Sequence, residues 1–104
     1  MAEIDQNLAF EPATKIGELI KSKELSPVEI TKLYLERIEK LDSNLNSYLT
    51  VTADIALSAA QKAETEVMGG GELGALHGIP ISIKDLQMTK GVRTTGGSLA
   101  YKDR

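Results

Sequence analysis

The stretch Gly74–Ser98, GALHGIPISIKDLQMTKGVRTTGGS, holds the features around which the rest of the chain is organised. A short apolar run, residues 79–83, leads to Lys84 and Asp85 at the edge of a loop rich in Gly and Thr. An apolar run of this length between a glycine and a polar turn is typical of an interior strand. The stretch therefore predicts a strand over 79–83 that ends at a charged pair.

A lysine directly after a buried strand has two interpretations. Desolvating an ammonium group is costly, and burial can lower the pKa of a lysine until it serves as a general base. Such a base can activate a serine hydroxyl for attack on an amide carbonyl. The commoner case is a lysine that pairs with an acid or reaches water. For Lys84 both interpretations stay open on spacing alone, and Asp85 is as well explained as a cap of the following turn.

Composition restricts the class of protein. With 104 residues, 41% hydrophobic and 26% charged, the chain is typical of one globular domain. It has one Phe, three Tyr and no Trp, so its core is expected to be aliphatic. The absence of cysteine excludes disulfides, thiolate metal sites and a cysteine nucleophile. No signal peptide and no membrane-spanning run is evident, which predicts a cytoplasmic protein without a membrane contact.

Charge is unevenly distributed along the chain. Residues 1–73 carry 13 acidic and 7 basic side chains, whereas residues 74–104 carry 2 acidic and 5 basic ones. The basic groups are too sparse, and too poor in aromatic neighbours, for a nucleic-acid surface. We expect no nucleic-acid contact from this segment.

Two helices are predicted before residue 45. The first, about 13–22, has apolar residues at the i, i+3, i+4 spacing of one buried face. The second, about 27–41, begins with a capping box in which Ser26 is the N-cap and Glu29 the N3 residue. Leu25 and Ile30 occupy the positions of a hydrophobic staple around that cap.

The next segments alternate in type. Residues 42–44 are predicted to end the second helix in a turn. Residues 47–51, rich in β-branched and aromatic side chains, predict a short strand or an extended segment. A third helix, about 53–67, is rich in Ala and has Thr52 as its candidate cap. The glycines at 69–71 are expected to stop it.

The glycines at positions 69, 71 and 74 spell the spacing of a dinucleotide fingerprint. That motif needs a strand before it and a helix after it, and here the order is reversed, so the fingerprint is rejected. The domain organisation predicted for residues 1–104 is a helical part, about 1–68, a Gly-rich connection, 69–78, and a strand with a lysine-bearing loop, 79–104. Because an interior strand needs neighbours on both sides, we expect the chain to be the beginning of a larger α/β fold.

Other polar residues in the opening stretch have ordinary explanations. His77 is the only histidine, and a structural hydrogen bond explains it better than catalysis or metal binding. Thr94, Thr95 and Ser98 can contact a ligand or satisfy the backbone of their own loop. No G-x-S-x-G nucleophile motif is present, and no cofactor or metal site is predicted.

The residues Leu76–Asp85, followed by Thr94–Ser98, resemble the N-terminal part of the amidase signature family. The segments at 25–30 and 36–38 are also similar to that family, as are Asn46 and the Ala-rich helix. The resemblance covers nearly the whole chain, with the G-I-P-x-x-x-K-D block as its specific core.

This resemblance implies an amidase-type hydrolase, an α/β/α fold with a mixed sheet flanked by helices, incomplete in this chain, and a small-molecule amide substrate. The family uses a Ser–cis-Ser–Lys triad, in which Lys84 corresponds to the lysine that relays a proton through the cis-serine to the nucleophile. The two serines belong to a Gly/Ser-rich motif further along the family's chains. Neither Ser82 nor Ser98 lies in that motif, so we expect these 104 residues alone to be inactive.

Two alternatives remain at this point. One is the A subunit of the tRNA-dependent amidotransferase, which releases ammonia from glutamine and usually has K-D-N where this chain has Lys84-Asp85-Leu86. That difference favours a general amidase. The other is a non-catalytic helical interaction module, which the absence of both serines favours.

Overall fold

The computed structural model describes residues 4–104, and the described part is helical. It contains three α-helices and two short 3₁₀ helices, which are α1 (Ala13–Lys21), α2 (Pro27–Leu45), α3 (Ala53–Met68) and the 3₁₀ turns Gln6–Phe10 and Leu99–Tyr101. Among the described residues, β pairing is limited to a single antiparallel bridge between Thr89 and Val92. No helix among the described residues is long and apolar enough to cross a membrane.

The start of α2 is confirmed in detail. The Oε1 atom of Glu29 accepts a hydrogen bond from the Ser26 backbone N–H at 3.1 Å, and Ser26 Oγ accepts one from the Val28 N–H at 3.0 Å. Ser26 Oγ also donates to Glu64 Oε1 of α3 at 2.6 Å. The cap therefore does more than begin a helix, because it also joins α2 to α3.

The predicted end of α2 is wrong, since the helix continues to Leu45. Asp42 does not break the helix, because its carboxylate accepts hydrogen bonds from the backbone N–H groups of Ser47 and Tyr48, at 2.7 and 3.2 Å. Asn46 then ends the helix in the left-handed conformation, with φ of 53°. Asn is among the few residues that adopt this conformation at little cost.

The third helix agrees with its predicted bounds to within one residue and ends at Gly69. Thr52 stands at the N-cap position, but its side chain makes no capping hydrogen bond, so that part of the prediction is wrong. Of the alanines in α3, Ala60 is buried at 5% exposure. Small side chains on this face allow α3 to pack along α2.

The core is aliphatic, as composition predicts, and lies where α1, α2 and the end of α3 meet. Its buried members form one cluster: Ile16, Ile20, Leu25, Ile30, Leu33 and Val67. Leu8 packs against this cluster. Phe10 does not, being 75% exposed, and the guanidinium of Arg37 lies over its ring at 4.8 Å from the centroid.

The strand predicted over 79–83 is wrong for this structure, and the α/β expectation is not met within residues 4–104. Residues 47–51 and 79–83 form no strand. Ile79 packs against the core, but Ile81 and Ile83 are 72% and 55% exposed, so the expected common face does not form. The physical reason is that a strand is defined by hydrogen bonds to a neighbouring strand, and an apolar run cannot show whether that neighbour is present.

A turn at residues 75–78 connects the helices to the lysine-bearing stretch. His77 Nε2 donates a hydrogen bond to the Ala63 carbonyl of α3 at 3.0 Å, which confirms a structural contact for this histidine. Gly78 has φ of +80°, and a Cβ placed on it would lie 2.8 Å from Cγ of Pro27. The turn is thus seated on the first residue of α2, and its glycine is required there.

Replacing Gly78 with Ala is expected to destabilise the protein by about 1–3 kcal/mol, because it adds left-handed strain and a clash. Gly71→Ala is the matched control, since Gly71 has no atom within 4 Å of an added Cβ and no positive φ. Urea unfolding of the two variants measures the difference. Equal midpoints would show that the turn does not depend on this close approach.

The described chain has more open surface than a compact domain of its size. Its Cα radius of gyration is 15.1 Å, against about 13 Å for a compact domain of 100 residues. Its accessible surface is 7674 Å², against about 5,700 Å² expected for a compact 11.2-kDa monomer. The excess is consistent with the exposed apolar side chains after residue 80, which are Ile81, Ile83, Leu86, Met88 and Leu99.

Candidate functional site

Lys84 begins a loop that we call the lysine loop, residues 84–98. Its side chain is exposed, and it does not lie at the end of a strand. The Gln87 N–H donates to the Lys84 carbonyl at 2.9 Å, which closes a turn directly after the lysine. The backbone on the C-terminal side of Lys84 is therefore fixed by a hydrogen bond, while its side chain extends into open space.

Asp85 is the centre of the hydrogen bonds in the lysine loop. Its Oδ1 accepts from the Thr95 backbone N–H at 3.0 Å, and its Oδ2 accepts a short hydrogen bond from the Thr95 hydroxyl. The Gly97 N–H donates to the same Oδ2 at 3.2 Å. The backbone carbonyl of Asp85 also accepts, from the Gly96 N–H at 2.9 Å. We call these four contacts the Asp85 clamp.

The Asp85 clamp favours the ionised carboxylate. The hydroxyl of Thr95 lowers the pKa of Asp85 most, followed by the Thr95 backbone N–H. Partial burial acts against them, while the Gly97 N–H and the positive charge of Arg93 lower the pKa further. The pKa of Asp85 therefore lies below its ordinary value of 3.8, because the charged form accepts hydrogen bonds that the neutral acid accepts less well.

The lowered pKa gives a pH dependence with a definite sign. A carboxyl group whose pKa is lower in the folded state stabilises the fold fully above its unfolded pKa, near 3.8, and loses that contribution as the pH falls through the folded value. We expect the Thr95 and Gly97 amide resonances to shift with a midpoint below pH 3.8. NMR titration measures that midpoint, and Asp85→Asn should remove the shift. A midpoint above 3.8 would contradict the clamp.

The remainder of the loop is closed by the last residues of the described chain. Thr94 and Thr95 are buried, at 4% and 7% exposure. The Thr94 N–H donates to the Arg104 carbonyl at 3.3 Å, and Arg104 Nε donates to the Thr94 carbonyl at 3.1 Å. The Arg104 guanidinium also lies over the Tyr101 ring, 4.3 Å from its centroid. The backbone N–H and the backbone carbonyl of Thr94 are therefore both hydrogen-bonded within the protein.

One side-chain contact joins the segment before Lys84 to the helical part. The hydroxyls of Tyr48 and Ser82 lie 2.6 Å apart, within hydrogen-bond distance. Tyr48 is itself held by Asp42 at the end of α2. The segment that delivers Lys84 is thus connected to the C-terminal end of α2.

The structure brings together some of the predicted site residues and separates others. Asp85 is hydrogen-bonded to Thr95, whereas the side chain of Lys84 is exposed and His77 is bound to α3. The hydroxyl of Ser98 accepts from the Ala100 N–H at 3.2 Å and begins a 3₁₀ turn. Among the described residues there is no group of three or more side chains suited to hold a metal ion.

The role of Asp85 was missed by sequence reasoning. Asp85 was expected to cap the turn that follows it. Instead, its carboxylate accepts a hydrogen bond from Thr95, ten residues further along the chain. The signal available was an aspartate followed by a Thr-Thr-Gly-Gly run, whose hydroxyl and N–H groups need acceptors. Spacing alone does not show that these groups meet.

Comparison with known proteins identifies the family. The family model described as Amidase matches residues 29–104. The chain is 46% identical over 84 residues to the A subunit of the glutamyl-tRNA(Gln) amidotransferase of Geobacter sp. (strain M21), covering 81% of this chain and 17% of that protein. The same-named subunit of Methylococcus capsulatus is 51% identical over 79 residues, or 76% of this chain and 16% of that protein.

A third relative carries a different name. The protein named "Putative amidase AmiD" of Mycobacterium bovis is 39% identical over 90 residues, covering 86% of this chain and 19% of that protein. No solved structure matches the chain. The chain thus spans less than a fifth of the length of the curated relatives it matches. The family match nevertheless covers most of the chain, including the lysine loop. The family expectation is therefore confirmed, and this chain belongs to the Amidase family.

Proposed function

We propose that this chain supplies the lysine of an amidase, which hydrolyses an amide to a carboxylate plus ammonia or an amine. The observation that carries the proposal is the position of Lys84. It lies in the segment that matches the family, at the start of a loop closed by its own hydrogen bonds, with its side chain exposed. Exposure by itself is the ordinary state of a lysine, so the proposal rests on the family match, and the burial that would tune Lys84 as a base would come from residues other than these 104.

The proposed chemistry follows from the family resemblance. Lys84 accepts the proton of the nucleophilic serine through a cis-serine while the serine oxygen attacks the amide carbonyl. The same relay returns that proton to the leaving amine as the carbon–nitrogen bond breaks. Water then hydrolyses the acyl-enzyme to the carboxylate. Both serines would come from residues other than these 104, which is why we propose that the described chain has no activity by itself.

The exposed apolar side chains after residue 80 support the finer proposal of an α/β/α fold. Ile81 and Ile83 are aliphatic and β-branched, which favours a strand once a neighbouring strand is present. The matched region is 17% and 19% of the length of two of these relatives. We propose that residues 79–83 join a mixed sheet built mostly by other parts of the enzyme.

A second candidate is the A subunit of a glutamyl-tRNA(Gln) amidotransferase, which would release ammonia from glutamine. The relatives that bear this name are 46% and 51% identical to the chain, against 39% for the protein named as an amidase. Leu86 in place of the usual Asn after Lys-Asp favours the general amidase. The non-catalytic interaction module has no comparable support.

A serine-directed fluorophosphonate probe tests the proposal. The full-length enzyme that carries these residues is expected to be labelled, and the 104-residue chain is not. Labelling of the 104-residue chain would contradict our claim that the nucleophile lies elsewhere. Ammonia release from glutamine, compared with release from simple aliphatic and aromatic amides, then separates the amidotransferase component from the general amidase.

A further inference from the structure

We propose that Asp85 is a positioning residue, whose carboxylate clamps residues 95–97 against its own backbone, directly after Lys84, and so holds the lysine in place for amide hydrolysis. The role of the clamp in amide hydrolysis rests on the proposed function. The clamp itself rests on contacts that do not depend on that function.

Two successive backbone carbonyls, those of Lys84 and Asp85, accept hydrogen bonds from the rest of the loop. The Lys84 carbonyl accepts from Gln87, and the next carbonyl, that of Asp85, accepts from Gly96. The Asp85 side chain then holds Thr95 and Gly97 on either side of Gly96. Residues 84–87 and 95–97 are thereby joined as one unit, although residues 88–94 lie between them in sequence.

The glycine pair in the clamp requires this support. Gly96 and Gly97 both have positive φ, 61° and 73°. Two successive glycines in this region are free to adopt many other conformations, and fixing them costs conformational entropy. The carboxylate of Asp85 offsets that cost, because hydrogen bonds to a charged acceptor are stronger than neutral ones.

Packing on the helices does little to hold the lysine loop. Half of its non-glycine side chains are exposed, including Leu86 at 63% and Met88 at 74%. The contact of Tyr48 with Ser82 lies before the loop. The position of Lys84 therefore depends on the hydrogen bonds within the loop and on those that join it to residues 102–104. A misplacement of about 1 Å in a catalytic group can lower a rate about a hundredfold.

Both carboxylate oxygens of Asp85 accept hydrogen bonds from other residues of the lysine loop. Oδ1 faces Thr95, and Oδ2 receives both the Thr95 hydroxyl and the Gly97 N–H. An arrangement of this kind orients the backbone and leaves the Lys84 ammonium to other partners. This distinguishes a positioning role from a Lys–Asp ion pair, in which the carboxylate would face the lysine.

The test uses the full-length enzyme with Asp85→Asn, Thr95→Val and the double variant. Asp85→Asn keeps the shape but replaces one acceptor oxygen with a donor, and Thr95→Val removes the hydroxyl at nearly constant volume. We expect each to lower kcat about 10- to 100-fold with KM changed less than about threefold. The double variant should be no slower than the worse single variant, because both remove the same clamp.

Two further variants and one structural measurement accompany the kinetics. Thr95→Ser keeps the hydroxyl and should restore most of kcat, whereas Asp103→Asn changes an exposed carboxylate outside the clamp and should have no effect. Hydrogen exchange of the Thr95 and Gly97 amides should become faster in Asp85→Asn.

The outcomes separate the two proposals. Normal kcat in Asp85→Asn and Thr95→Val, together with an inactive Lys84→Ala enzyme, would overturn the positioning role and leave the proposed function standing. An active Lys84→Ala enzyme would overturn both. Unchanged amide exchange in Asp85→Asn would overturn the clamp itself.

Discussion

Lys84→Ala in the full-length enzyme is expected to lower kcat for amide hydrolysis by about 10²- to 10⁴-fold, the usual contribution of a general acid–base group. The fold should be retained, because the Lys84 side chain is exposed and its backbone carbonyl, which binds Gln87, is unchanged by the substitution. Steady-state kinetics with a simple amide measure the loss, and circular dichroism with thermal unfolding verifies the fold.

Lys90→Ala is the matched control for that experiment. Lys90 is an exposed lysine in the same lysine loop, six residues further along. It should keep near-normal turnover, because nothing in the Asp85 clamp involves its side chain. If Lys84→Ala retained turnover similar to that of Lys90→Ala, Lys84 would be an ordinary surface lysine and the proposed function would be wrong.

The second large effect concerns the helical core. Leu33→Ala is expected to destabilise the chain by about 2–5 kcal/mol, because it removes buried methyl groups and leaves a cavity. Leu33 is 1% exposed and lies in the cluster that α1, α2 and α3 share. This is a large part of the stability of a domain of this size, and urea unfolding at neutral pH should show a clearly lower midpoint.

Leu41→Ala makes the same chemical change on the same helix at a side chain that is 44% exposed. The expected destabilisation is below about 1 kcal/mol, since little apolar surface leaves a buried environment. Helix propensity changes equally in the two variants. Similar unfolding midpoints would mean that Leu33 is not in the core.

The helices were predictable because their signals are local. The capping box that starts α2 lies within four residues, 26–29, and its outcome does not depend on distant contacts. The end of α2 was not predictable in the same way. By its residue type Asp42 is typical of a helix end. Its carboxylate instead binds the N–H groups of Ser47 and Tyr48, which lie beyond the end of the helix.

The predicted strand failed because a strand is a property of two segments. The run at 79–83 has the composition of an interior strand, yet the described residues offer it no partner. Composition measures the suitability of one segment for a pleated, half-buried surface. It carries no information about whether a neighbouring strand lies within the same 104 residues.

The site was predictable in part. Lys84 was predictable as a candidate site residue because it is a charged residue that follows an apolar run, and the family resemblance supplied its proposed role. The Asp85 clamp was out of reach, because ten residues separate its two sides and the intervening turns decide whether they meet. Hydrogen bonds between Asp85 and Thr95 belong to tertiary structure, even though both residues lie in one short stretch.

The pairing of α2 with α3 has a consequence for the order of folding. The two helices are neighbours along the chain, joined only by residues 46–52, and contacts between neighbouring elements require little loop closure. A ribosome adds about 5–20 residues per second, whereas local helical contacts form within milliseconds. We therefore expect α2 and α3 to pack together during translation. The lysine loop would then leave the ribosome when the two helices are already in place.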